Sequence, residues 1–74
     1  MSQADIRHTI EIRLNGESLT VEAPATVASL VVTRKPRPPF AVEVNKELVR
    51  RPQYEALALN DGDVVEIVTL VGGG

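Results

Sequence analysis

The stretch that decides the fold is Val64-Val65-Glu66-Ile67-Val68-Thr69-Leu70-Val71, which is followed by Gly72-Gly73-Gly74 at the end of the chain. Apolar side chains occupy both alternating sets of positions, so a strand formed here would be apolar on both faces. Such a strand belongs in the centre of a sheet rather than at an edge. We therefore predict a central final strand, from about Val64 to Val71, that leads directly into three glycines.

A β-hairpin is predicted near the N-terminus. Apolar and polar residues alternate from Ile6 to Leu14, which is the period of a half-buried strand. Asn15-Gly16 follows, the commonest signal for a type I′ turn, and the alternation resumes from Ser18 to Ala23. The single histidine, His8, falls on the apolar side of the first strand. We interpret it as a strand residue because it lacks the partners that catalysis requires.

A short helix should follow the hairpin. Thr26 can cap its first turn, and Val27 and Leu30 begin an apolar stripe with helical spacing. Pro36 disfavours helical geometry at Lys35, so the helix should end there.

A basic, proline-rich segment, Arg34-Lys35-Pro36-Arg37-Pro38-Pro39, comes next. It can be a stiff, solvated connector or a basic docking surface for an acidic partner. A third interpretation, a proline-rich ligand segment, is disfavoured because both ends are tied into one small domain.

The second half of the chain contains the remaining elements. Apolar and polar residues alternate from Phe40 to Val44, which predicts a strand, and Leu48-Val49 could form a brief one. Residues 51–59 are predicted to be irregular or to form one helical turn. Three of their side chains should cover the open edge of the core: Tyr54, Leu57 and Leu59. Asn60-Asp61-Gly62-Asp63 is a turn cluster in which Gly62 supplies a positive φ. We interpret Asp61 and Asp63 as turn residues rather than as a catalytic acid and base, since no nucleophile with an adjacent base is visible.

The predicted order is strand, strand, helix, strand, short strand, strand. This order indicates a single α+β domain over residues 1–74, with a mixed four- to five-stranded sheet and one short helix on one face. With the last strand beside and parallel to the first, the arrangement is a ubiquitin-like β-grasp. Its second face would be open, leaving Val68 and Leu70 exposed as a partner surface unless a loop covers them.

Composition excludes several classes of function. The net charge is −2 and the pI about 5.2, so there is no basic footprint for nucleic acid. No apolar run approaches the length of a membrane helix, and the first residues lack the features of a signal peptide, so we expect a cytoplasmic protein. Without cysteine, disulfides, thiolate nucleophiles and cysteine metal sites are excluded, and one histidine makes no metal site.

The three terminal glycines allow two interpretations on their own. Glycine loses the most conformational entropy on ordering, so the tail, residues 72–74, should be flexible and add nothing to stability. It is either a frayed end or a thin thread that carries a carboxylate into a narrow active site.

The chain resembles the ThiS sulfur-carrier family of thiamin biosynthesis over essentially its whole length. Four stretches carry the resemblance: Leu14-Asn15-Gly16-Glu17, Ala25-Thr26-Val27-Ala28-Ser29-Leu30, the segment from Val42 to Arg51, and Leu59-Asn60-Asp61-Gly62-Asp63-Val64-Val65-Glu66-Ile67-Val68 running into Val71-Gly72-Gly73-Gly74. The last stretch is the most specific of the four. The chain departs from the family pattern in its shorter helix and its more basic connector.

The resemblance implies a carrier rather than an enzyme. In this family an E1-like adenylyltransferase of the ThiF type uses ATP and Mg²⁺ to adenylate the terminal carboxylate, here that of Gly74. A sulfur donor protein then converts it to a thiocarboxylate, which delivers sulfur to thiazole synthase. Gly72 and Gly73 would serve reach and access, while Val68, Leu70 and Val71 would contact the partners. The carrier itself binds no cofactor.

Three alternatives share parts of this interpretation. A MoaD-like carrier for molybdopterin synthesis has the same tail chemistry, but it commonly carries Pro-Pro-Val before the glycines where this chain has Thr69-Leu70-Val71. A ubiquitin-like modifier would form an isopeptide bond with lysine. A non-covalent β-grasp interaction module would be indifferent to loss of Gly73 and Gly74.

Overall fold

A computed structural model describes residues 8–70 of the chain. It contains one mixed five-stranded sheet with the strand order β2-β1-β5-β3-β4 and one α-helix. The strands are β1 (Thr9–Leu14), β2 (Glu17–Glu22), β3 (Phe40–Val44), β4 (Glu47–Val49) and β5 (Val64–Thr69); the helix, α1, is Val27–Arg34, and a 3₁₀ turn covers Arg51–Gln53.

The last strand lies in the centre of the sheet, as its sequence predicts. β5 pairs parallel to β1 through Arg13 with Val64 and Leu14 with Val65. On its other side β5 runs antiparallel to β3 over five residue pairs, from Phe40 with Thr69 to Val44 with Val65. The strand is shorter than predicted, because β5 ends at Thr69 and Val71 lies outside the described residues.

The predicted N-terminal hairpin is confirmed. Asn15 and Gly16 have φ values of 51° and 87°, and two consecutive positive φ values are those of a type I′ turn. Residues before His8 lie outside the described range. His8 itself precedes β1 by one residue and is exposed, and its carbonyl accepts the N–H of Ala23 at 2.7 Å.

Helix α1 begins and ends where the sequence predicts. The Thr26 hydroxyl accepts the N–H of Ser29 at 3.1 Å, and the Ser29 hydroxyl accepts the N–H of Thr26 at 2.9 Å, so the two residues form a reciprocal cap. Lys35 ends the helix in the left-handed region at φ 51°. Its N–H donates to the Val31 carbonyl at 2.8 Å, which is the usual closure of a helix C-terminus.

The core lies between the sheet and the helix. Val27, Val42 and Val65 are fully buried, one each from α1, β3 and β5, and Ile12 from β1 is 1% exposed. Burial of these aliphatic side chains is the main stabilising term, because the described residues contain only two aromatic rings. Leu59 joins this core, and Tyr54 and Leu57 pack against it half-buried, as expected for the cover of its open edge.

Candidate functional site

Two asparagine side chains anchor β5 from opposite sides. The Oδ1 of Asn45 accepts the N–H of Val64 at 2.9 Å, at the start of the strand. Asn15 holds the main chain of Ile67 at both groups: its Oδ1 accepts the N–H at 2.8 Å, and its Nδ2 donates to the carbonyl at 3.2 Å. Both asparagines have positive φ, at 51° and 52°, which Asn tolerates better than most residues. The strand that leads to the tail is therefore fixed at its start and its middle.

The turn aspartates are structural, as predicted. Asp61 Oδ1 accepts the N–H of Glu11 at 2.7 Å, which ties the turn to β1. Asp63 Oδ2 accepts the N–H of Asn60 at 2.8 Å, and its Oδ1 accepts from Asn45 Nδ2 at 3.0 Å. Because the two carboxylates accept hydrogen bonds from β1, from the β3–β4 turn and from within their own turn, they hold the entry into β5 in place.

The face of the sheet opposite the helix is open among residues 8–70. Alternate β5 residues point to this face, and Val68 and Leu70 are 45% and 54% exposed there. Across the β3–β5 pairing, Val68 lies opposite the half-buried Ala41. We name Val68, Leu70 and Ala41 the apolar patch. The exposure of Val68 and Leu70 was predicted from the sequence, whereas Val71, assigned to the same surface, lies outside the described residues.

Two glutamates lie directly opposite each other beside the apolar patch. Glu43 of β3 pairs with Glu66 of β5, two residue pairs along the ladder from Ala41 with Val68 and therefore on the same face. The pairing was not predictable from the sequence, because it depends on the register between strands that are distant in the chain. Like charges directly opposite each other repel and destabilise a sheet. The open face therefore combines exposed apolar side chains with a local negative charge.

Replacing Glu66 by Gln should stabilise the fold. The substitution keeps the size of the side chain and removes the repulsion from Glu43, so we expect the free energy of unfolding to rise by about 0.2–1 kcal/mol. Urea denaturation at low ionic strength measures it, and the gain should shrink in high salt because exposed charges are screened. Glu47→Gln, in the exposed strand β4, is the control for loss of one negative charge. A destabilised Glu66→Gln variant would contradict this account.

The tail residues assigned to the chemistry, Gly72, Gly73 and Gly74, lie outside the described residues. The described residues closest to them in the chain are those at the end of β5 and Leu70. In residues 8–70 no group of three or more His, Asp or Glu side chains is placed to hold a metal ion. Nor does that part of the chain include a helix long and apolar enough to cross a membrane.

The architecture by itself defines a class of fold. A five-stranded mixed sheet that carries one helix on one face, with its last strand central and parallel to its first, is the ubiquitin-like β-grasp. The model of the ThiS family matches residues 8–74, nearly the whole chain and including the three glycines. The chain belongs to the ThiS family.

Individual relatives agree with this assignment. The crystal structure of a thiamine biosynthesis protein (ThiS) from Geobacter metallireducens superposes with a TM-score of 0.74 at 30% identity, covering 88% of this chain and 100% of that one. The sulfur carrier protein ThiS of Bacillus subtilis is 52% identical over 33 residues, which cover 45% of this chain and 50% of that protein.

A longer relative carries a similar stretch within a larger polypeptide. The thiazole synthase of Paramagnetospirillum magneticum is 40% identical over 70 residues, covering 88% of this chain. The chain spans only 20% of the length of that relative.

Proposed function

We propose that the chain carries sulfur on the carboxylate of Gly74 and delivers it for the synthesis of the thiamin thiazole. The observation that carries this proposal is that the match to the ThiS family extends through residues 72–74. A small carrier of this kind is a substrate of other enzymes. A cytoplasmic location remains a prediction.

The chemistry follows from the properties of a terminal carboxylate. A C-terminal carboxyl group is ionised at neutral pH, and the resulting anion is a nucleophile but a poor electrophile. One carboxylate oxygen of Gly74 would attack the α-phosphorus of ATP, releasing pyrophosphate and forming an acyl-adenylate. Sulfur at the sulfide level, HS⁻, would then attack the carbonyl carbon and displace AMP, leaving a thiocarboxylate and a proton. A ThiF-type E1-like adenylyltransferase would supply the ATP site and the Mg²⁺, because phosphoryl chemistry depends on positioning and charge stabilisation.

The chain itself would contribute reach and docking. Gly72 and Gly73 would allow the tail to enter a narrow active site, since neither adds a side chain. The apolar patch would bind the adenylyltransferase, and Val71 would extend that contact. Thiazole synthase is the proposed acceptor of the sulfur, which is supported by a protein of that name that includes a stretch similar to this chain.

Intact-protein mass spectrometry tests the proposal. The purified chain is incubated with the adenylyltransferase, ATP, Mg²⁺ and sulfide as the sulfur source. A gain in mass equal to sulfur replacing one oxygen is expected, and a chain that lacks Gly73 and Gly74 serves as the control. An adduct through lysine would instead identify a ubiquitin-like modifier, and an unchanged mass would refute the carrier function. Transfer to thiazole synthase or to molybdopterin synthase then separates the two carrier classes.

The apolar patch yields a separate prediction. Val68→Asp should weaken binding to the adenylyltransferase by more than about 1 kcal/mol, because a charge replaces an exposed apolar side chain in the centre of the contact. Leu70→Asp should act in the same direction. Isothermal titration measures the affinity.

The matched control is Val32→Asp. Val32 is the same residue type, is 70% exposed and lies on helix α1, on the opposite side of the sheet from the patch. It should leave the affinity unchanged. Equal affinities for Val68→Asp and the original protein would show that the patch does not bind this partner.

A further inference from the structure

The sheet has an open edge beside the end of β5. Strand β1 accompanies β5 for two residue pairs only, ending with Leu14 and Val65. The side chain of Asn15 then substitutes for a strand by bonding both main-chain groups of Ile67. Beyond Ile67, β1 no longer runs beside β5, because the chain turns at Gly16 into the hairpin.

Thr69 presents its main chain to this open edge. Along a strand, the N–H and C=O groups of alternate residues point to the same side, so Thr69 faces the same way as Ile67. The residue after it points to the other side, where the N–H of Leu70 donates to the Pro39 carbonyl at 2.7 Å. Within residues 8–70 no strand or side chain bonds the N–H or C=O of Thr69 on the open edge. An unpaired edge is a template for another strand.

A groove runs beside this edge. It has a volume of about 470 Å³ and lies between the hairpin turn, the end of helix α1 and the end of β5. Its wall includes the apolar side chains of Leu14, Leu19 and Ile67, together with Thr69 itself. A segment added next to Thr69 could therefore place one side chain in the groove while its main chain pairs with the edge.

A basic side chain lies at the rim of the groove. Arg34 lines it, and among the described residues no hydrogen bond or ion pair engages the Arg34 side chain. Lys35 and Arg37 follow and are also exposed. Glu17 is the one acidic side chain in the lining. Arg34 is therefore available to pair with an acidic side chain of a ligand.

We propose that an extended segment of the sulfur-accepting partner, bearing an acidic side chain, adds as a strand at Thr69 and places that side chain beside Arg34. This inference rests on the proposed function, which names thiazole synthase as the acceptor. Strand addition uses main-chain hydrogen bonds for affinity and side-chain pockets for specificity. It gives the basic segment after α1 a role, that of recognising an acidic partner.

Docking at this edge would act on the tail directly. Thr69 is three residues before Gly72, and a strand paired with Thr69 fixes the point from which the tail extends. A tail with a fixed origin searches a smaller volume, so its carboxyl group reaches an acceptor at a higher effective concentration.

The decisive variant is Thr69→Pro. Proline removes the N–H on the open edge, and proline is tolerated where a strand N–H faces away from its neighbour. The bonds between β5 and β3 involve the even-numbered β5 residues and remain. Binding to purified thiazole synthase, measured by isothermal titration, should weaken at least about tenfold. Thr69→Val keeps the N–H and the shape of the side chain, and should bind as the original protein does.

The charge is tested separately. Arg34→Glu should weaken the same binding several-fold, and less so in high salt, because the interaction is between charges. Lys46→Glu makes the same charge change in the β3–β4 turn, away from the groove, and should have no effect.

Amide hydrogen exchange provides a readout that needs no variant. The Thr69 N–H of the free protein should exchange quickly, and thiazole synthase should protect it. Protection that appears without partner as the concentration rises would place a second copy at the edge and overturn the proposal. Unprotected Thr69 in the complex, or full binding by a folded Thr69→Pro variant, would overturn this inference alone. Absence of binding by the original protein would overturn it together with the proposed acceptor.

Discussion

Gly73→Trp is expected to abolish adenylation of the chain while the sheet and helix remain folded. A run of glycines can pass through a narrow active-site channel that a side chain would block. Displacement of a reacting group by about 1 Å can cost a factor of about 100 in rate, so a blocked tail should react more than about 100-fold slower. Formation of the acyl-adenylate, followed by mass spectrometry or pyrophosphate release, measures the rate.

Controls separate access from folding. Gly73→Ala adds one methyl group and should give an intermediate rate. Val32→Trp introduces the same indole at an exposed position of α1, so it should react normally. Circular dichroism should show an unchanged thermal midpoint for Gly73→Trp. Adenylation of Gly73→Trp at the original rate would show that Gly74 reaches the active site even with a bulky neighbouring side chain, and would refute the proposed role of Gly73.

The second large effect is expected at Asn15. Asn15→Ala loses both bonds to Ile67 and places a Cβ-bearing residue with no local hydrogen bond at a φ of 51°. Together these changes should lower the free energy of unfolding by about 2–3 kcal/mol. That is a large share of the stability of a domain this small. Urea denaturation measures the change, and the slope with urea should stay constant if the fold is unaltered.

Asn15→Gly isolates the side-chain bonds. Glycine adopts positive φ without strain, so this variant loses only the two contacts with Ile67 and should be destabilised by about 1–2 kcal/mol. The difference between the alanine and glycine variants is then the cost of the backbone conformation. If Asn15→Gly is as stable as the original protein, the side chain does not anchor β5.

Much of the architecture follows from local sequence. The Asn15-Gly16 turn, the helix end before Pro36 and the turn at Gly62 each depend on a residue whose own geometry permits few alternatives. The central position of β5 was predicted from apolar residues at both parities, although only one set is buried: Val65 lies in the core, whereas Val68 and Leu70 are exposed on the open face. The parallel pairing of the last strand with the first was then predicted from a right-handed crossover through the helix.

The remainder could not be predicted because it depends on contacts between distant segments. Asn15 was recognised as a turn residue, but its bonds to Ile67 require β5 to lie beside that turn. Asn45 and Lys46 form a second turn, and their two positive φ values, which occur without a glycine, could not be predicted from the sequence. The pairing of Glu43 with Glu66 and the open edge at Thr69 could be predicted only if the register between the strands were known. The roles of Gly72, Gly73 and Gly74 remain predictions from sequence and chemistry.

The parallel pairing of β1 with β5 has a consequence for the order of folding. It joins residues about fifty positions apart, whereas the β1–β2 and β3–β4 hairpins are closed by local turns. Long-range pairings form slowly because the entropy of closing a large loop comes first. The hairpins can therefore form early, and the sheet is completed when β5 enters between them. Val68, Leu70 and Thr69 all belong to this late-forming part of the molecule. A partner that docks there would bind only chains that have finished folding. An incompletely folded chain would not bind the adenylyltransferase, so its carboxylate would not be activated.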